Sequence, residues 1–248
     1  MRRCIGGGAT FLDRNQIFYQ CIFHNSRVPW RADKVYQMML NAPINVLNRI
    51  GLRGSLRSIN EVEANSVRIA GIGGGRVGEA MVVVGNLLLD FDYSLMSKVW
   101  HVPDQSFRNL AFATMEERVG TLKKLGCKHT LESLESYLTE AFVESLERPV
   151  HETQFEIQEI QAGRNSATNL SSFEFLSLHY PEGEVKPMKS LKISADVFIH
   201  HIRLQLDDRI SEISVRVDNG IITDLQTESP RKTNIEKLML DTPFSDWS

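Results

Sequence analysis

The chain has 248 residues, enough for one large domain or a main domain with a small appendage. Its 28 basic and 31 acidic residues leave a net charge of −3, and 42% of its residues are hydrophobic, a composition that offers nucleic acid no global attraction. The three cysteines (Cys4, Cys21 and Cys127) are odd in number and lack CxxC spacing, which argues against a zinc site or disulfide framework and fits a reducing cytoplasm.

The chain opens on a glycine-rich segment, Arg2-Arg3-Cys4-Ile5-Gly6-Gly7-Gly8-Ala9. Residues 9–23 read as strand, turn and strand, with Asp13-Arg14-Asn15-Gln16 as the turn. Because a patterned strand follows Met1 at once, the start reads as an incomplete N-terminus. Residues 31–50 carry helical spacing at Val35, Met38, Met39, Ile44, Val46 and Leu47, with Pro43 marking a point of interruption. Residues 60–72 predict a hairpin through Ala64-Asn65 that delivers Arg68 to a second glycine turn, Gly71 and Gly73-Gly74-Gly75. A buried strand over 82–91 and a short helix over 93–100 follow. The apolar run from 81 to 91 contains Gly85, Asn86 and Asp90 and is too short for a bilayer, and no signal peptide is legible. Leu131 to Leu146 is an amphipathic helix with Thr130 as its N-cap. Residues 163–172 read as a polar loop and 181–187 as a linker. Beyond it come short alternating strands, with a hairpin through Asp218-Asn219-Gly220.

Gly73-Gly74-Gly75-Arg76-Val77-Gly78 matches GxGxxG in letters only. A dinucleotide fold needs a helix between its glycines and the next strand, and here only Glu79-Ala80-Met81 separate Gly78 from three valines. No Lys-Ser/Thr follows a glycine loop, which excludes a Walker loop. What remains is local chemistry. Glycines let a ligand lie against backbone N–H groups, and flanking arginines add fixed positive charge. Two such segments facing one slot would suit an anionic, partly apolar ligand.

These segments, in this order, resemble the lipoate–protein ligase branch of the biotin/lipoate ligase superfamily. The family's Arg-Arg-x-Ser/Thr-Gly-Gly-Gly-Ala is matched by residues 2–9, and its Asn-Asp pair by Asn60-Glu61. Its Lys-hydrophobic-Ser/Ala-Gly hairpin is matched by Arg68-Ile69-Ala70-Gly71, and its Gly-Thr-Leu-Leu strand by Gly85-Asn86-Leu87-Leu88. Val102-Pro103 and Glu117-Arg118-Val119-Gly120-Thr121-Leu122 resemble later family segments, and the region after Met188 resembles its accessory domain.

The resemblance implies an α+β fold: a mixed, largely antiparallel sheet with packed helices over residues 1–180, and a small α+β accessory domain over 188–248. It implies ATP-dependent ligation of lipoate, or a similar medium-chain acid, to a carrier-protein lysine through an acyl-adenylate. Arg68 would be the catalytic cation. Arg2, Arg3, Gly6, Gly7, Gly8, Ala9, Asn60, Gly71, Gly73, Gly74, Gly75 and Gly85 would bind substrate and ATP. Mg2+ would accompany ATP, and a lipoyl carrier domain would be the partner, with a complementary ligase subunit as a further one. The chain departs from the family at Arg68 (usually lysine), Leu12 (histidine), Ile5 (Ser/Thr) and Asn86 (threonine). These departures keep a second reading open, a catalytically weakened ligase-like module that binds a lipoylated carrier or partner subunit. The stretch Leu52-Arg53-Gly54-Ser55-Leu56 holds no cysteine, which argues against a covalent acyl-thioester route. His200 and His201 alternate faces on a strand and read as structural.

Overall fold

The computed structural model describes residues 10–178, 186–206 and 208–247. Among them the architecture is α+β, with seven α-helices and two antiparallel sheets. The first sheet runs β1-β5-β4-β3-β2, and the second β6-β7-β8-β9.

Strand β1 (Gln16–His24) begins after an Asx turn in which the Asp13 carboxylate accepts from the Asn15 N–H at 2.9 Å. The described residues 10–13 form no strand, so only the second half of the expected strand–turn–strand is present. Helix α1 (Ala32–Arg49) runs through Pro43 instead of breaking there. Met39, Leu40 and Ala42 before the proline, and Val46 and Leu47 after it, are all buried, so packing holds the helix across the missing hydrogen bond. Strand β2 (Ser55–Arg57) and β3 (Glu61–Ala64) lead into β4 (Val67–Val77). The β3–β4 turn is Asn65-Ser66, one residue beyond the expected position. Both residues have positive φ, 51° and 64°, which matches the twist of a tight hairpin.

The second glycine segment is strand, not turn. Gly71 to Gly75 lie inside β4 and pair with Asn86 to Val82 of β5 (Ala80–Leu88). Glycine is a weak strand former, but three consecutive valines opposite it supply the β preference and the packing. The chain reverses at Gly78, whose φ of 56° opens the β4–β5 turn.

Helices α2 (Tyr93–Val99) and α3 (Gln105–Arg118) follow. The sequence reading assigns no element to 105–118. Its helix is capped by Asp104, which accepts from the Phe107 N–H at 2.7 Å, and it buries Phe107, Leu110, Ala111, Thr114 and Met115. Helix α4 (Leu131–Leu146) starts at the expected cap, Thr130, and packs beside α1. Helix α5 (Ile157–Leu170) occupies most of the expected polar loop. None of its residues is buried, and local bonds such as Glu156 N–H to Glu159 and Gln161 to Asn165 support it. A short helix α6 (Phe173–Ser177) follows; most of the expected linker falls outside the described residues.

Strands β6 (Ser190–Ser194), β7 (Val197–Leu206), β8 (Arg209–Asp218) and β9 (Ile221–Gln226) form the second sheet, and α7 (Lys232–Met239) closes the fold. The β8–β9 hairpin turns at Asn219-Gly220, both with positive φ, as expected.

One core lies between the first sheet and α1 with α4, including Val35, Met39, Leu47, Ile69, Val83, Leu87, Leu134 and Leu138. A second core joins the halves of the chain, because Phe107, Leu110 and Met115 of α3 pack with Ile193, Val197 and Ile199. The same helix is clasped electrostatically to β8. Arg216 donates to both oxygens of Glu117 at 2.6 and 3.0 Å, and Arg118 donates to Asp218 at 2.6 Å.

Residues 119–123 strap the first sheet to α3. The Gly120 N–H donates to the Arg68 carbonyl at 2.9 Å, and the N–H groups of Leu122 and Lys123 donate to the carbonyls of Leu88 and Leu89. A Cβ on Gly120 would collide with Val67 and come within 3.0 Å of Ile69. Gly120→Ala should therefore cost about 1–3 kcal/mol through overpacking, read as a lower urea midpoint with an unchanged slope. The clasp predicts acid sensitivity. Hydrogen bonding to Arg216 holds the Glu117 carboxyl below its usual range; burial pushes Asp218 up, but Arg216 and Arg118 overcome it and lower it. The unfolded chain takes up these protons near pH ~4 and the folded chain only below that, so the clasp contributes fully above pH ~4 and is lost as pH falls. Thermal melts from pH 7 to 3 should show this loss, and Arg216→Met should flatten it.

Candidate functional site

Pairing in the first sheet sorts its residues into two faces. Tyr19, Cys21, Met81, Val83, Leu87, Ala70 and Ile72 point into the core beneath α1 and α4. The opposite face carries cross-strand rows: Phe18, Asn86 and Gly71; Gln20, Val84 and Gly73; Ile22, Val82 and Gly75. A register shift between Val62 and Glu63 on β3 inserts an extra residue, Ile69, into β4. Both Ile69 and Ala70 are fully buried, so Arg68 and Gly71 come to share the open face. There the guanidinium of Arg68 lies across Gly71, and a Cβ at Gly71 would strike its Nη2.

Gly73 beside it opens onto free space among the described residues. The row residues Phe18 and Ile22 are exposed, with exposed Gln20 between them, and Val82 and Val84 are half-buried, so a largely apolar track borders the cation. The Gly71 N–H donates to the Asn86 side chain at 3.1 Å, and the Asn86 amide donates to buried Gln16 at 3.1 Å. Arg68 Nε is buried and has no hydrogen-bond partner among the described residues. An unpaired buried guanidinium N–H is costly unless an acceptor meets it.

Not every expected residue joins this cluster. Arg2, Arg3, Gly6, Gly7, Gly8 and Ala9 lie outside the described residues. Gly74 faces the core, where its carbonyl accepts from the Tyr36 hydroxyl at 3.1 Å and a Cβ would collide with the Val82 carbonyl. Gly85 faces the core too, leaving room for the Tyr19 ring. Asn60 precedes β3 and its carbonyl accepts from the Ile72 N–H at 2.9 Å. Gly75 is in register with Val82 on the open face. Arg76 is engaged elsewhere: it binds Asn25 and the Trp30 carbonyl and lies 4.5 Å from the Trp30 ring centroid.

Sequence reasoning did not single out the Gln16–Asn86–Gly71 hydrogen-bond chain, nor Glu61 and Lys192 as a pair. Glu61 is 3% exposed; its Oε2 accepts from the Ala195 N–H at 2.7 Å, and its Oε1 lies 3.6 Å from Lys192 Nζ and 4.0 Å from Arg68 Nη1. The family resemblance drew attention to Asn60-Glu61 and to Leu191-Lys192-Ile193 separately, but no local rule pairs a carboxylate with a lysine more than a hundred residues later.

Cys21 is half-buried on the core face, and burial pushes its thiol up to about 11, which suits packing rather than nucleophilic chemistry. His200 stacks on Phe198 and Phe244, and burial lowers its pKa; His201 is held between Glu212 and Asp104. Both histidines have structural neighbours.

The two faces of β4 predict opposite responses to the same added methyl. Gly74→Ala meets backbone and should cost about 1–3 kcal/mol. Gly71→Ala meets only the far end of Arg68, so stability should stay within about 1 kcal/mol of wild type while anion binding falls. Urea denaturation and ligand titration of both variants check the contrast.

The family model for the lipoyl protein ligase A/B catalytic domain matches residues 1–143. Among relatives of known assignment, the chain is 23% identical over 143 residues to the probable lipoate-protein ligase A of Mycoplasma pneumoniae. That match covers 56% of this chain and 42% of the relative. The corresponding protein of Mycoplasma genitalium is 24% identical over 145 residues, covering 58% and 40%. The chain thus matches about two fifths of the length of these relatives. Among solved structures, a bi-partite lipoate protein ligase with its E2 lipoyl domain from Thermoplasma acidophilum superposes with a TM-score of 0.63 at 22% identity, covering 68% of this chain and 67% of that one. A lipoate-protein ligase A bound with ATP gives 0.57 at 19%, covering 68% of each chain. A third, the T. acidophilum protein Ta0514 with bound lipoic acid, gives 0.56 at 19%, again covering 68% of each. These likenesses show a shared fold, and the family match spans more than half of the sequence: the chain belongs to the lipoyl protein ligase A/B catalytic-domain family.

Proposed function

We propose that this chain takes part in ATP-dependent ligation of lipoate, or a similar medium-chain acid, to a lysine of a lipoyl carrier domain. The observation that carries this reading is Arg68 stretched over Gly71, with a buried unpaired Nε, at one end of an apolar, glycine-floored track. A carboxylate and a phosphate both need such a cation, and an aliphatic tail needs such a track. Relatives of this fold have been solved with lipoic acid and with ATP, which supports the same ligands here.

The chemistry runs in two balanced steps. The carboxylate oxygen attacks the α-phosphorus of ATP, and pyrophosphate leaves with the displaced bond's electrons. The carrier lysine, as free amine, then attacks the acyl carbonyl; AMP leaves and the amide nitrogen loses a proton. Arg68 would neutralise charge on the carboxylate and the α-phosphate, in the manner of other preorganised cations. Mg2+ would accompany the nucleotide phosphates.

This reading keeps residues 1–180 as the catalytic unit and 188–248 as the accessory unit. The two units pack together through the shared core of α3 and β6–β7. A cytoplasmic setting and a complementary ligase subunit belong to the same proposal; the bi-partite T. acidophilum enzyme is a precedent for the latter. No helix among the described residues is long and apolar enough to cross a membrane.

One observation favours the weaker alternative of a binding module: the charge of Arg68, where the resemblance implies a lysine, is partly shared with Glu61. ATP–pyrophosphate exchange separates the two. Wild type should exchange with lipoate, and Arg68→Met should lose about 10–100-fold, the weight of one charge-assisted contact. Absence of exchange with lipoate, octanoate and biotin overturns the ligase reading for the isolated chain. Exchange that appears only in Arg68→Lys would identify the weakened module, and exchange restored by a second subunit would identify a split enzyme.

A further inference from the structure

Glu61 is a carboxylate with almost no access to water, so it requires compensating charge. The Ala195 N–H satisfies one oxygen at 2.7 Å. The other oxygen faces two cations, Lys192 at 3.6 Å and Arg68 at 4.0 Å, and neither closes to a tight contact. Two cations around one anion leave a net positive charge at this corner of the sheet. Lys192 and Ala195 both come from the β6–β7 hairpin, so the C-terminal sheet supplies this compensation to a carboxylate of β3.

We infer that Lys192 is a positioning residue: by neutralising Glu61 it leaves the Arg68 guanidinium free to lie over Gly71 and face an anionic ligand. An arginine fork matches a carboxylate bidentately. Without Lys192, Arg68 would be the sole counter-ion of a buried anion 4.0 Å away and would close on it. The cation would then turn from the glycine track towards β3. The second sheet thereby sets the charge available at the first sheet's open face. This inference rests on the ligase reading for what Arg68 faces, but not for how Arg68 is held.

The test is a charge cycle on the full chain, comparing wild type, Lys192→Met, Lys192→Arg and Lys192→Met/Glu61→Gln. Glutamine at 61 keeps an acceptor for the Ala195 N–H while removing the charge. The first readout is modification of Arg68 by phenylglyoxal, resolved by peptide mass spectrometry. The second is KM against kcat for lipoate in pyrophosphate exchange. Lys192→Met should slow Arg68 modification at least threefold and raise KM about tenfold, the weight of one charge-assisted bond, with a smaller change in kcat. Lys192→Arg should match wild type, and the double variant should recover both readouts. Unchanged Arg68 reactivity in Lys192→Met, or a double variant no better than the single, overturns the inference. If wild type shows no exchange while the reactivity cycle behaves as expected, the ligase reading falls and the role of Lys192 stands.

Discussion

Strand β4 carries glycines where a central strand ordinarily carries side chains, and the rest of the architecture depends on how that deficit is made good. Each glycine in a strand interior costs about 0.5–1 kcal/mol in backbone entropy relative to alanine. The loss is offset from both neighbours. On the core side, Gly74 lets the β5 backbone at Val82 and Val83 come close and leaves its own carbonyl to Tyr36, while Gly85 makes room for Tyr19. Above that layer, α1 and α4 bury Met39, Leu40, Leu47, Leu134 and Leu138 against the sheet. Among the described residues the other side is then free of packing demands, because the strand is held by pairing and by the opposite face. Gly73 is open on that side, and a side chain at Gly71 would displace Arg68.

The same logic explains why the two halves of the chain are bound so firmly. The bulge at Ile69 turns both Ile69 and Ala70 into the core, and residues 119–123 lock its flanks by pairing with Arg68. Gly120 must be glycine for that strap to lie flat on Val67 and Ile69. The strap continues from α3, which is fixed to the second sheet by an apolar core and by the Arg216–Glu117 and Arg118–Asp218 pairs. Arg68 is therefore held through its backbone by one link to the C-terminal sheet and faces another, Lys192, through its side-chain partner Glu61.

Much of this was legible where a local rule decides the structure. Thr130 before an amphipathic run fixes α4, and Asn219-Gly220 between alternating strands fixes a tight hairpin, because cap and turn chemistry act within a few residues. The glycine run was legible as a place of close approach but not as strand, since its conformation is imposed by the valines of β5 across the ladder. Helix α3 carries its own local signal, Asp104 as cap and Phe107, Leu110, Ala111, Thr114 and Met115 at helical spacing. Helix α5 is the reverse case. It has no buried face, so apolar periodicity could not announce it, and its Gly163 and small polar residues imitate a loop. Of the expected residues, Arg68, Gly71 and Gly73 share one face of the sheet. Gly74 and Gly85 do not, because strand alternation sends them to the core.

The arginine at position 68 also acquires a physical context. A lysine is a compact point charge that fits a crowded site directly, whereas an arginine is broad and seeks two acceptors at once. Beside a lone buried carboxylate, an arginine would be consumed by it. Here the carboxylate is already met by a backbone N–H and by Lys192, and the guanidinium lies across Gly71, which has no side chain to obstruct it. The broad cation and the bare strand suit each other: the fork needs the space that the missing Cβ leaves, and the exposed backbone beside Gly73 needs a fixed charge if an anion is to settle there. Position 68 is thus best understood together with 61, 71 and 192, as one charge arrangement spread over two sheets.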